Sequence, residues 1–554
     1  MYSNKENINI LTSLLMQHGV HHVVVCPGSR NSPLVHNFNE APGLKCYPVT
    51  DERSAGFFAL GLCQKAESAV AVCVTSGSAL LNVAPAVAEA YYQHCPLVVI
   101  SADRPQQWID QMDGQTMRQP GALQGFVRKT VTLPEPHDDE QRWYCNRLVN
   151  EALLAACGGA EGPVHINVPI SEPLFEYTQE SLPAERMISR YGASASEAGL
   201  SALAQRLMSA RRPMVVVGQQ QYGRIAACFD NVSRLRKNIV LLYENLCFDD
   251  GYAPHFEEVL ANAHDERLKP DLIVYIGGTL VSKRLKQFLR KAADAETWLV
   301  GAEGEVNDTF MNLSAVVQSC PSAAFEVLAS ASGQVSDEAR QYYSLWQSLL
   351  DACELRMQDY TPKYSAMAAV KYFEEQLQDM DYDYSVQYAN SSAVRLGNIF
   401  AQHRIWCNRG INGIEGCVST AAGMAAATDG VVFCVVGDLA FFYDQNALWN
   451  RNLKGNLRIL LLNNGCGSIF SKFDGLRKSD ARDMVMGNHN ASAEGICTQN
   501  DCGYMKATNR DEMQIGIVRL LTIETERPVV LEVFTDPADD NWAMEEYMTF
   551  KLGL

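Results

Sequence analysis

Short runs of β-branched and aliphatic residues recur along the chain, each stopped by glycine, proline, asparagine or aspartate and followed by a helical pattern. Strands too apolar to show a solvent face, alternating with helices, belong to parallel sheets covered on both sides. Three sets can be read. The first holds "HHVVVCPG", "AVAVCVTSG", "CPLVVISADRP" and "GPVHINVP", and the second "RPMVVVGQQQ", "NIVLLYEN", "PDLIVYIGG" and "TWLVGAEG". "RIWCNRG", "GVVFCVVGD", "LRILLLNNG" and "RPVVLEVF" make the third. "AERMISRYGASAS", between the first two sets, is small and polar enough for a linker, and residues 333–385 turn helical and charged before the third. The expected class is α/β, with three doubly wound parallel-sheet domains in series at 1–182, 183–345 and 346–554. The length of 554 residues agrees, because single cores stop growing at about 250–300 residues.

Composition excludes several classes. No window reaches the roughly 18 uninterrupted apolar residues of a membrane span. In the opening "MYSNKENINILTSLLMQHGV", Ile8, Leu11, Leu14 and Leu15 fall at helical spacing, which predicts an amphipathic helix rather than a signal peptide and hence a cytoplasmic protein. The 17 cysteines include no CxxC pair, and many, such as Cys73 and Cys434, sit in apolar strands, as buried reduced thiols do. A formal net charge of -18 argues against nucleic acid as a partner, so anionic substrates would need local arginines to recruit them. His18, His21 and His22 fit a helix meeting its strand better than a metal site.

The third set carries the chemistry. Val431 to Val436 reads as a strand ending in Gly437-Asp438-Leu439, followed by a helical stretch around Asp444 to Trp449, a Lys454-Gly455-Asn456 turn and a strand ending at Asn463. A strand–helix–strand unit of this length joins parallel strands by a right-handed crossover. Both strands then finish at one sheet edge, and Asp438 and Asn464 become neighbours where α/β folds bind ligands. A carboxylate, an amide oxygen and an accessible carbonyl at residue 466 form an all-oxygen set suited to Mg²⁺ and phosphate. Two ordinary turns would leave the same residues in sequence.

"GDL" followed by "NNGCGSIF" resembles the GDG and NN motif of thiamine diphosphate enzymes, whose pyrimidine-binding, central and diphosphate-binding domains would be the three sheets. The resemblance implies bound thiamine diphosphate and Mg²⁺ (or Mn²⁺), with the cation on Asp438, Asn464 and the main-chain carbonyl of Cys466. Gly437, Leu439, Ile469 and Phe470 would line the cofactor, and Ile414 lies where the family uses a bulky aliphatic side chain beneath it. Leu439 stands in place of the motif's second glycine, and Cys466 where glycine is common; a carbonyl ligand is indifferent to that exchange. "CYPVTDERSAGFFALGL" offers Glu52 after a short strand and at the opening of a helix. There it resembles the family's catalytic glutamate, which hydrogen-bonds N1' of the aminopyrimidine so that the cofactor acts as its own base. Family members place this glutamate in one subunit and the metal in another, which implies a homodimer with shared active sites; whether dimers pair into tetramers stays open.

"CPGSRNSPL", residues 26–34, is similar to the corresponding loop of the 2-succinyl-5-enolpyruvyl-6-hydroxy-3-cyclohexene-1-carboxylate synthase family of menaquinone biosynthesis. "SADRP", "GQTMRQPG", "SKRL", "NRGINGIEGCVSTAAG" and "NNGCGSIF" agree with it in the same order. The resemblance implies a transferase in which 2-oxoglutarate loses carbon dioxide and the remaining succinyl-semialdehyde unit adds to the ring of isochorismate. Each substrate brings two carboxylates, so guanidinium and ammonium groups on rigid loops are needed. By motif position these are Arg30, Arg104, Lys283, Arg284, Arg395 and Arg409, with Ser29, Gln115 and Ser391 as polar contacts. "VSKRLKQFLR" also reads as a basic amphipathic helix. Another thiamine diphosphate decarboxylase or carboligase would keep Glu52, Asp438 and Asn464 but has no use for "PGSRNSPL" paired with the "NRG" loop. A nicotinamide dehydrogenase would need GxGxxG, which Tyr275 to Gly278 lacks, and a non-catalytic sensor on the same fold would lack Glu52.

Overall fold

The computed structural model describes residues 1–158, 161–190 and 196–552; residues 191–195 of the expected linker lie outside that part. Its strands form three sheets in which every pairing is parallel. The first contains His22–Val25 (β1), Lys45–Pro48 (β2), Val70–Val74 (β3), Leu97–Asp103 (β4), Lys129–Thr132 (β5) and Val164–Pro169 (β6), in the order β2-β1-β3-β4-β6-β5. The central sheet contains Pro213–Val217 (β7), Val240–Tyr243 (β8), Leu272–Ile276 (β9), Glu296–Gly301 (β10) and Leu313–Gln318 (β11), in the order β11-β10-β9-β7-β8. The third contains Tyr384–Tyr388 (β12), Ile405–Trp406 (β13), Val431–Gly437 (β14), Leu457–Asn463 (β15), Gly503–Ala507 (β16) and Val529–Phe534 (β17), in the order β13-β12-β14-β15-β17-β16. The outer two sheets thus share one winding pattern.

The apolar runs did not announce β2, β5, β11, β12 and β16. Of these, β2, β5, β11 and β16 each close a sheet at its edge and are only partly buried, whereas β12 is internal, largely buried and begins inside the stretch 333–385 expected to be helical. With one flank in solvent the edge strands need no continuous aliphatic run, and β12 lacks one because Tyr384, Ser385 and Gln387 interrupt it. Ile8, Leu11, Leu14 and Leu15 are buried on the amphipathic helix Glu6–Gln17. The helix Asp337–Asp359 runs through position 345 and packs Tyr342, Trp346, Leu349, Leu350 and Cys353 into the core of the central sheet. No described helix is long and apolar enough to cross a membrane. All 17 cysteines are unpaired.

One apolar core joins the first and third sheets. It is centred where the helix Glu52–Ala66 meets the helix Cys417–Ala426, and glycines set how close the two backbones come. A Cβ on Gly61 would lie 2.0 Å from the carbonyl oxygen of Thr420, and one on Gly423 would lie 2.0 Å from that of Phe58. Backbone cannot yield there as a flexible side chain would. Gly61→Ala or Gly423→Ala should therefore cost about 3 kcal/mol in denaturant unfolding, the overpacking range. Gly333→Ala, at a position with open space around it, is the control expected to change little. Equal stability of all three variants would show that the crossing is looser than described.

Candidate active site

β14 and β15 run parallel with Gly437 opposite Leu462, so both deliver the chain to the same sheet edge. The helix after β14 spans Asp438–Tyr443 and starts earlier than the expected stretch from Asp444 to Trp449, which holds only a 3₁₀ turn over Gln445–Leu448. An aspartate in the first turn suits the positive end of a helix. Asp444 instead turns inward and accepts the backbone N–H (2.7 Å) and hydroxyl (2.8 Å) of Ser419.

Asp438 is buried, and its carboxylate is surrounded by donors. Oδ1 accepts the N–H of Leu439 (2.7 Å), while Oδ2 accepts the N–H of Gly465 (2.7 Å) and of Asn464 (3.0 Å). Burial pushes its pKa up, and those N–H groups together with the neighbouring His489 pull it back down. A carboxylate offers about four acceptor sites. The three N–H groups leave it capacity for a cation. Asn464 is oriented by its own amide nitrogen, which donates to Asp540 Oδ2 (2.8 Å) and Ser468 Oγ (3.0 Å). Its Oδ1, holding only a long contact from the N–H of Cys466 (3.3 Å), faces the other way across the planar amide. The donor set thus fits a hard cation.

A cleft of about 850 Å³ opens beside this edge. Asn463, Asn464, Gly465 and Cys466 form one wall, and Arg482, His489 and Trp542 contribute to the others. His489, which the sequence motifs do not contain, has Nε2 3.4 Å from Asp438 Oδ2 and its ring edge-on to Phe442. Ile469 is half-buried and Phe470 exposed on the 3₁₀ turn Ser468–Lys472 that follows the loop. Leu439 packs against Gly487, and Ile414 is exposed on the loop before the helix Cys417–Ala426.

Glu52 opens its helix as expected and is half-buried, with Oε2 accepting from Asn82 (3.2 Å). It does not line the cleft, whose walls all come from residues 463–545.

The cationic candidates form two groups. Arg284, Arg395 and Arg409 gather with Lys286 around Glu244 and Glu257, close enough for each charge to act on the others. Arg284 pairs with Glu257 (3.0 Å), and Arg409 donates to Asn390 Oδ1 (2.9 Å). Lys283 is exposed at the start of the helix Lys283–Arg290, which is the basic amphipathic helix anticipated, with Leu285 and Leu289 buried. Ser391 follows β12 with φ +73°, a conformation in which a non-glycine residue is strained. The second group lies on the first sheet. Arg30 is buried, donates to the carbonyl of Ile170 (2.9 Å) and pairs with Glu172 (2.9 Å). Arg104 pairs with Asp113 (2.8 Å), while Ser29 and Gln115 are exposed. No hydrogen bond or ion pair among the described residues joins the two groups.

Comparison with known proteins bears on both halves. Residues 8–124 match the model of the thiamine pyrophosphate enzyme, N-terminal TPP binding domain. The chain is 42% identical over 561 residues to a 2-succinyl-5-enolpyruvyl-6-hydroxy-3-cyclohexene-1-carboxylate synthase of Bacteroides thetaiotaomicron, covering 99% of both chains. It is 41% identical to the enzyme of that name from Phocaeicola vulgatus (99% of this chain, 98% of the relative) and 34% identical to that from Porphyromonas gingivalis (100% and 98%). With end-to-end coverage at such identity, the chain belongs to the 2-succinyl-5-enolpyruvyl-6-hydroxy-3-cyclohexene-1-carboxylate synthase family of thiamine diphosphate enzymes.

Proposed function

We propose that the protein decarboxylates 2-oxoglutarate and adds the remaining four-carbon unit to isochorismate. The products are 2-succinyl-5-enolpyruvyl-6-hydroxy-3-cyclohexene-1-carboxylate and carbon dioxide, in cytoplasmic menaquinone biosynthesis. The observation that carries the cofactor half is the contact of the Asp438 carboxylate with the N–H groups of Asn464 and Gly465. It draws the aspartate and the asparagine to one point at the mouth of the cleft. Asp438, Asn464 and the carbonyl of Cys466 would hold Mg²⁺ or Mn²⁺, and the edge formed by Gly437, Leu439, Ile469 and Phe470 would meet the cofactor. Thiamine diphosphate, when bound, supplies the nucleophilic carbon and the electron sink that decarboxylation requires.

Glu52 would hold its proton against the aminopyrimidine end of the cofactor. Because the cleft of one chain contains no residue before Asn463, that glutamate is best supplied by a second copy, which supports a homodimer with shared sites. Arg284, Arg395 and Arg409, with Lys283 and Ser391 beside them, bind carboxylates of the substrates. Ser29, Arg30, Arg104 and Gln115 of the other copy complete the enclosure. Guanidinium groups suit this task because they meet a carboxylate with two parallel N–H donors. On this reading residues 1–182 form the pyrimidine-binding part, 183–345 the central part and 346–554 the diphosphate-binding part.

Incubation with thiamine diphosphate, Mg²⁺, 2-oxoglutarate and isochorismate should yield the named product by mass analysis. Carbon dioxide release with no isochorismate-derived product would refute the substrate half alone. Asp438→Ala should lose the cofactor, seen as loss of saturable thiamine diphosphate binding in calorimetry, and a chelator should do the same to the native protein. Glu52→Gln should retain the cofactor while turnover falls by about 10²-fold or more, the scale of a lost acid–base group. Full activity in either variant would remove that residue from the site.

A further inference from the structure

Asp438 is not the only buried carboxylate that accepts two consecutive backbone N–H groups of a loop. Glu89, on the helix Ala84–Gln93, accepts from Gly410 through Oε1 (2.6 Å) and from Ile411 through Oε2 (2.7 Å). Glu244, just after β8, accepts from Ser282 through Oε1 (2.7 Å) and from Val281 through Oε2 (2.8 Å). Glu89 is 3% exposed and Glu244 4%. Each anchored pair adjoins a cationic candidate: Arg409 precedes Gly410, and Lys283 and Arg284 follow Ser282.

We infer that Glu89 and Glu244 are positioning residues, which hold the Arg409 loop and the Lys283–Arg284 loop in the geometry that receives the substrates' carboxylates. The inference rests on the substrate reading above.

Two N–H groups pointing the same way need two acceptor atoms, and an ionised carboxylate provides them with no competing donor. A glutamine would turn its own NH₂ toward one of the two. Neither glutamate lies within ion-pair distance of a cation among the described residues, so each works through the backbone it holds. The Arg409 loop is built to this contact. A Cβ on Gly410 would lie 2.7 Å from the carbonyl oxygen of Glu89 and 3.0 Å from its Oε1, so that only glycine fits. The loop is fixed on its other sides by Thr279, whose hydroxyl donates to the carbonyl of Arg409 (2.9 Å), and by Gln219, which donates to that of Cys407 (3.0 Å). On the second loop, the Ser282 hydroxyl accepts the N–H of Leu285 (2.9 Å) and so starts the helix that carries Lys283 and Arg284.

Charge and position predict opposite outcomes when either glutamate becomes glutamine. Removing a negative charge beside a cationic cluster would, by itself, strengthen the binding of a dianion and lower KM. Releasing the loop would raise it. Steady-state kinetics of the holoenzyme variants E89Q and E244Q decide the sign. Each should raise the KM for 2-oxoglutarate or isochorismate by about tenfold or more, the effect expected of one buried N–H left without an acceptor. The kcat should stay within about threefold and the affinity for Mg²⁺ within about twofold, because neither glutamate contacts the metal edge of Asp438, Asn464 and Cys466. Unchanged or lower KM for both substrates would overturn the inference. Should a glutamine variant not fold, E89D or E244D, which keeps two acceptors but withdraws them by one methylene, is judged by the same KM criterion. R409A separates this inference from its premise. If R409A leaves both KM values unchanged, the substrate reading of Arg409 fails; if R409A raises KM and E89Q does not, only the positioning role fails.

Discussion

The carboxylate of Asp438 facing the backbone N–H groups of Asn464 and Gly465 is the contact on which the site depends. Burying an ionised group costs several kcal/mol unless strong hydrogen bonds offset it. Here three N–H donors do so, and in doing so they fix the exits of two neighbouring strands against each other. Asn464 is then locked from behind by Asp540 on the C-terminal helix, and its amide oxygen is left for a cation. Oxygen atoms from two loops are thereby held together before any ligand arrives, which spares binding the cost of ordering them. Glu89 and Glu244 repeat the device on the loops bearing the cations. In all three places a buried acid holds backbone.

On the proposed reading, the arrangement of one chain calls for a second copy. The first and third sheets share a winding order and are joined through the glycine-lined helix crossing at Gly61 and Gly423. That contact fills the space between them within a chain. Glu52 lies at the start of one crossing helix, with its neighbours Asp51 and Arg53 bonded to Asn446 and Tyr443, while the cleft takes its walls from residues 463–545. Arg30 and Arg104 likewise stand apart from the cluster of Arg284, Arg395 and Arg409. On that reading, two chains facing each other would bring the two groups together.

How much of this was legible in the sequence follows from the range of the forces involved. Most central strands announce themselves because they are buried on both faces, and the 12 apolar runs, from "HHVVVCPG" to "RPVVLEVF", each coincide with a strand. The internal strand β12 does not announce itself, because polar residues interrupt its aliphatic ones. Edge strands β2, β5, β11 and β16 had no such run, since solvent on one side removes the need for one. The proximity of Asp438 and Asn464 could be derived because one strand–helix–strand unit carries both. The helical stretch was expected around Asp444 to Trp449, whereas the helix begins at Asp438 and Asp444 turns inward to Ser419. Asp540, His489, Glu89 and Glu244 were out of reach. Each acts on a residue 37 or more positions away, and a buried Glu and a surface Glu look alike in a sequence.

Complementation tests the divided site most directly. Chains carrying E52Q and chains carrying D438A, each inactive as a homodimer, are co-expressed and the mixed dimers are purified through two different tags. One of the two sites in such a dimer would draw Glu52 and Asp438 from intact copies, so synthase activity should return well above that of either parent. Mixed dimers that form and bind thiamine diphosphate yet stay as inactive as their parents would show that both residues must come from one chain.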